Sequence, residues 1–175
     1  MSFWLCCLTA VGMQFSFDAT PIQPRSLAAL PLLPSGAELE IETRDIMGFQ
    51  SIGLGGRLWP SAAALCRWLR RERDLVTGAR VLELGCGTGA VGIYAAGLGA
   101  SDVVMTDVGD NENALLRLAA ANIRSNTNLF SEQRVCRVAP YAWGSALTAI
   151  VDDGTGLDLV LGSDLTYARK SHRAL

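Results

Sequence analysis

Val81-Leu82-Glu83-Leu84-Gly85-Cys86-Gly87-Thr88-Gly89 reads as a short apolar strand that runs directly into a turn with glycine at every second position. In such a turn the backbone can approach a ligand where a Cβ would collide, and the helix start that follows presents unpaired N–H groups to an anionic or polar group. The spacing is GxGxG and departs from the GxGxxG of dinucleotide-binding turns. Any tight strand-to-helix connection can use glycine, so the turn alone is weak evidence. The next apolar stretch, Val103 to Thr106, is closed by Asp107, which lies 22 residues beyond Gly85. That is close to the ~20 expected of an acid that receives ribose hydroxyls. Together the two features predict a ligand with one nucleoside and no pyrophosphate.

Outward from this point strand and helix alternate. A helix over Ala90 to Leu98 follows the glycine turn, and a second spans Asn111 to Arg124. Val135 to Ala139 and Leu157 to Leu161 read as further strands. Such alternation predicts a parallel sheet with helices on its faces. Upstream, Pro60 suits a first helical turn, and Ala62, Leu65, Cys66 and Leu69 fall on one side of an amphipathic helix that runs to about Arg73. The outer arginines of that helix, Arg67, Arg70, Arg71 and Arg73, read as a solvated face. Polar and apolar residues alternate from Glu38 to Ile46, and Phe49 to Leu54 resembles a return strand, which predicts a β-hairpin. Four prolines between 18 and 37 make that segment a linker or extended arm.

Composition narrows the function classes. With 175 residues and 50% hydrophobic side chains, one domain with a substantial core is expected. A net charge of −2 gives the chain no general attraction for a phosphate backbone, so no nucleic-acid partner is expected. The five cysteines include no CxxC pair, which argues against both a disulfide framework and a metal site and fits a reducing, cytoplasmic or nuclear setting. Residues 1 to 17 carry no charge and include Phe3-Trp4-Leu5-Cys6-Cys7-Leu8. They lack a basic leader and the ~20 residues of a membrane span, so they read as a buried strand or a disordered start, with no membrane partner expected.

At the glycine turn and Asp107 the chain resembles the class I, seven-β-strand, S-adenosylmethionine-dependent methyltransferases. Leu58-Trp59-Pro60, Trp143-Gly144 and Leu161-Gly162-Ser163-Asp164-Leu165-Thr166-Tyr167 narrow the resemblance to the methyltransferase-16 group, best known as protein-lysine methyltransferases. It covers about residues 38 to 172. The resemblance implies a Rossmann-like α/β fold, parallel and doubly wound, over 38–175, behind a variable arm over 1–37. It implies S-adenosylmethionine as cofactor, in a pocket lined by Trp59, Gly85, Cys86, Gly87, Asp107, Trp143 and Ser163. Ser163 departs from the small alanine often found there in the family. Glu83 can either hold the turn by accepting backbone N–H bonds or reach the cofactor's ammonium group, and the second is the preferred reading. Cys86 occupies the variable position of the turn; no paired base is visible, and the only histidine, His172, lies far along the chain, so a nucleophile is disfavoured.

Asp164 and Tyr167 fit the D-x-x-Y pattern that the resembling enzymes place at the mouth of the methyl-transfer channel. A carboxylate there would orient an incoming amine, and an aromatic rim would confine it. The expected acceptor is a protein lysine; alternatives are a small molecule, a protein histidine, or a non-catalytic cofactor-binding module. The family continues past its fourth strand, so the sheet is expected to be incomplete, with its C-terminal part missing and Leu157 to Leu161 left as an unprotected edge.

Overall fold

The computed structural model describes residues 4–8, 29–44, 53–108, 114–130, 135–151 and 156–167. Among the described residues five strands form one parallel sheet: β1 (Trp4–Leu8), β2 (Arg80–Leu84), β3 (Asp102–Asp107), β4 (Val135–Pro140) and β5 (Leu159–Ser163), in the order β1-β5-β2-β3-β4. Four α-helices accompany them there: α1 (Pro60–Arg71), α2 (Arg73–Val76), α3 (Ala90–Leu98) and α4 (Ala114–Ser125). This is the Rossmann-like α/β arrangement expected from the alternation of strand and helix. The helix expected to run to about Arg73 ends at Arg71, where the Glu72 N–H closes α1 on the Trp68 carbonyl, and the short α2 follows.

Side-chain alternation along the strands sorts the core. Val81, Val103, Met105 and Leu161 face α1, α3 and α4, and pack with Leu65, Leu69, Ile93, Leu98 and Ala119. Helix α3 is apolar and almost wholly buried, as a helix wedged between a sheet and two neighbours must be. Leu82, Val104 and Ala139 point to the opposite face, where Ile150 and Val151 of the segment after β4 cover them.

Two expectations are corrected. The first concerns the sheet edge: β5 is flanked by β1, with Trp4 opposite Leu159 and Leu8 opposite Ser163, so the run predicted to lie open is paired on both sides. The apolar N-terminal run supplies the missing hydrogen-bond partners, and a strand is what it forms.

The second concerns the β-hairpin. Residues 38–44 form no strand, and the return strand from Phe49 falls largely outside the described residues, its end being the 3₁₀ turn Gly53–Gly56. The arm is nonetheless extended, because its backbone is paired by side chains rather than by a strand. The Glu40 and Glu42 N–H groups donate to the Oδ1 atoms of Asn126 and Asn122 at 2.9 and 2.8 Å, and the same two amides donate back to the Glu40 and Glu42 carbonyls. Alternate residues of the arm thus meet two asparagines four apart in sequence, Asn122 in α4 and Asn126 immediately after its last residue, where the helical spacing still brings both to one side.

Candidate functional site

In an open parallel sheet, ligands sit beyond the C-terminal strand ends where the strand order reverses. Here that point lies between β2 and β5, since the chain leaves β2 toward β3 and β4 on one side and returns to β5 on the other. A cavity of about 810 Å³ opens there, within the roughly 300–1,000 Å³ of small-molecule sites. Of the residues expected from sequence, Trp59, Glu83, Gly85, Cys86, Gly87, Asp107, Trp143, Ser163 and Asp164 all line it. Tyr167 ends the 3₁₀ turn Leu165–Tyr167 beside them, and its side chain lies outside what the structure describes.

The glycine turn is forced by its surroundings. Gly87 has φ 52, and a Cβ there would stand 2.6 Å from the carbonyl oxygen of Gly55, a backbone atom that cannot swing away. At Gly85 (φ 59) it would stand 2.5 Å from Leu165 Cδ2, with Trp143 also near. The turn is pinned by Cys86 N–H donating to the Thr106 carbonyl at 2.8 Å and by Gly87 N–H donating to Asp107 Oδ2 at 2.8 Å. Asp107 Oδ1 accepts the Val108 N–H, also at 2.8 Å. Two backbone donors therefore fix the carboxylate at the end of β3, facing the cavity.

Glu83 is buried, and its Oε2 accepts the N–H of Gly92 in α3 at 2.9 Å. The structure thus places it on a cavity wall while its hydrogen bond serves the strand-to-helix packing, the first of the two readings open from sequence. Burial, with a smaller contribution from the Asp107 charge, pushes its carboxyl up to about 8 against the opposing effect of the Gly92 bond. Cys86 is likewise pushed well above the ordinary thiol range, by burial first and then by the Glu83 and Asp107 carboxylates, which leaves it uncharged and no nucleophile.

Across the cavity, Trp59 precedes α1, donates its indole N–H to the Leu54 carbonyl at 3.1 Å, and carries the Arg57 guanidinium 6.0 Å from its ring. Asp164 follows β5 with φ 57, a left-handed conformation that Asp tolerates better than most residues. Its Oδ2 accepts the hydroxyl proton of Ser61 at 2.7 Å, from the first turn of α1. Sequence reasoning passed over Ser61, Gly55, Leu165, Tyr141 and Leu115, which also line or close the cavity. The one available signal was the adjacency of Ser61 to Trp59-Pro60.

The donor set fits the expected cofactor. Among the described lining residues the carboxylates Asp107 and Asp164 outnumber the one cationic side chain, Arg57, so the cavity favours a cationic ligand bearing hydroxyls over one bearing phosphates. Among the described residues no cluster of side chains suited to a metal ion occurs, and no helix is long and apolar enough to cross a membrane.

Residues 38–175 match the family model described as "Lysine methyltransferase". The chain is 33% identical over 159 residues to protein N-lysine methyltransferase METTL21A of Danio rerio, covering 89% of this chain and 69% of that protein. It is 30% identical over 162 residues to protein N-terminal and lysine N-methyltransferase efm7 of Schizosaccharomyces pombe, covering 90% and 60%. It is 35% identical over 116 residues to EEF1A lysine methyltransferase 3 of Mus musculus, covering 66% and 45%. The chain therefore spans roughly half to two thirds of the length of these relatives.

Proposed function

The chain belongs to the lysine methyltransferase family, and from that membership we propose that it methylates the side-chain amine of a protein lysine with S-adenosylmethionine as methyl donor. The observation that carries the reading is the meeting, in one cavity at the strand-order reversal, of the glycine turn, Asp107 and Asp164. When bound, S-adenosylmethionine supplies an activated methyl group on a sulfonium, so the protein has mainly to align donor and acceptor.

Asp107 is assigned to the ribose hydroxyls and the Gly85-Cys86-Gly87 turn to the amino-acid end, where the absence of Cβ atoms permits close approach. Trp59 and Trp143 flank the nucleoside and exclude water, and Ser163, at the end of β5, lines the same cavity next to Asp164. Asp164 orients the incoming amine, and Ser61 holds its carboxylate by the 2.7 Å bond from α1. Tyr167 is assigned to the rim of the acceptor channel. A lysine ammonium, with a reference pKa of ~10.4, has to lose its proton to solvent before its lone pair can attack the methyl group. The cytoplasm or nucleus is the proposed compartment: Cys66, Cys86 and Cys136 are free thiols, a state that reducing conditions preserve.

The test is incubation of the purified chain with a lysate and methyl-labelled S-adenosylmethionine, followed by mass spectrometry of the labelled residue. Label on a protein lysine is the expected result. Label on histidine or on small molecules would overturn the acceptor assignment, and no binding of the cofactor would overturn the whole reading.

A further inference from the structure

Asn122 and Asn126 are 1% exposed, lie outside the cavity, and are used by no step above. Buried amides with every hydrogen-bonding position engaged are costly to place and rigid once placed. Asn126 exchanges two hydrogen bonds with Glu40 of the arm and donates a third to the Asn122 carbonyl at 2.7 Å. Asn122 exchanges two with Glu42 and also donates to the carbonyl of Thr88, inside the glycine turn, at 2.9 Å. One side chain thus ties the arm to the ligand-facing turn.

The arm passes this restraint to the opposite wall. Arg44 N–H donates to the Gly56 carbonyl at 2.8 Å, so the clamped arm fixes the Gly53–Gly56 turn. Leu115, from the first turns of the same helix α4, packs against Gly55, whose carbonyl oxygen is the atom that bars a Cβ at Gly87. Helix α4 therefore touches both sides of the cleft at the glycine turn, and Asn122 on it and Asn126 just past its end hold the arm that joins them.

Resting on the cofactor reading above, we infer that Asn122 and Asn126 are positioning residues for the cofactor pocket: by clamping the arm in extended form they hold the Gly53–Gly56 wall against the glycine turn, so arm docking and cofactor binding are coupled. Coupling of this kind is reciprocal. A ligand that binds better to the closed wall must in turn slow the release of the arm, although it touches neither asparagine.

The experiment follows amide hydrogen exchange at Glu40 and Glu42 in the full chain, with and without saturating S-adenosylhomocysteine, together with calorimetric affinity for that ligand in the wild type and in Asn126→Ala. The ligand is expected to slow exchange at both amides in the wild type. Asn126→Ala is expected to bind it about fivefold or more weakly, in the usual range of such coupling, while Glu40 exchanges fast and thermal unfolding stays cooperative. Unchanged affinity in a folded variant whose Glu40 amide has become fast would overturn the inference. Should Asn126→Ala fail to fold, the wild-type exchange decides alone: equal protection with and without ligand would overturn it. No binding by the wild type would sink the cofactor reading and this one with it, whereas binding without coupling would sink this one only.

Discussion

At the scale of single residues, the carboxylates do different work according to what surrounds them. Asp107 is held by two backbone N–H groups and turned toward the cavity, so it has no rearrangement to make on accepting hydroxyl donors. Asp107→Ala removes charge-assisted bonds worth ~1.5–3 kcal/mol each, and at least a tenfold loss of S-adenosylhomocysteine affinity by calorimetry is expected. Asp164→Asn, by contrast, should lower methyl transfer in the labelling assay while leaving that affinity within about twofold, since it is assigned to placing the acceptor amine; equal loss of both would make Asp164 a cofactor residue. Glu83 carries a pH signature. Its folded carboxyl holds a proton up to about 8, whereas an unfolded glutamate releases it near ~4.3. The folded state binds more protons between these values, so stability is greatest below the lower one and falls as pH rises toward the upper. Glu83→Gln keeps an acceptor for Gly92 and removes the titration; between pH 5 and 9 the wild-type melting temperature should fall more than the variant's, and parallel profiles would contradict the assignment.

At the scale of elements, the glycine turn makes the sharpest demand. Gly87→Ala places a Cβ against the Gly55 carbonyl oxygen in a left-handed conformation, so the wall must retreat as well as the backbone bear its ~1–2 kcal/mol strain. Gly36→Ala, at φ 85 with open space around it, bears the strain alone. Cofactor affinity should therefore collapse in the first variant and stay intact in the second, with calorimetry as the measure. The same contrast explains what could be read beforehand. Strands β2 to β5, helix α1 and the residues at the strand ends were legible because each has a local signal: an apolar run, a proline at a helix start, glycines and an acid at fixed spacing. The alternation from Glu38 was legible as extended backbone, but its partners are the side-chain amides of Asn122 in α4 and Asn126 just after it, and no strand pattern marks them. Ser61, Gly55 and Leu165 escaped for the same reason, since each acquires its place at the cavity only when distant segments meet.

At the scale of the whole molecule, β1 forms one edge of the sheet, laid beside β5. Removing residues 1–8 would uncover the β5 edge, whose N–H and C=O groups would then seek another strand. Size-exclusion chromatography should show association or precipitation of the shortened chain under conditions where the full chain elutes as a single species; an unchanged profile would mean that β1 is dispensable. The pairing of Trp4 with Leu159 also sets an order of events during synthesis. All of β2, β3 and β4 lie between the two paired strands in sequence, so the Trp4–Leu8 run is synthesised well before its partner. Contacts between residues so far apart in sequence form slowly. Until β5 is made, the strand-forming segment has no partner in the sheet, and the β2–β3–β4 part can assemble before β1 and β5 pair.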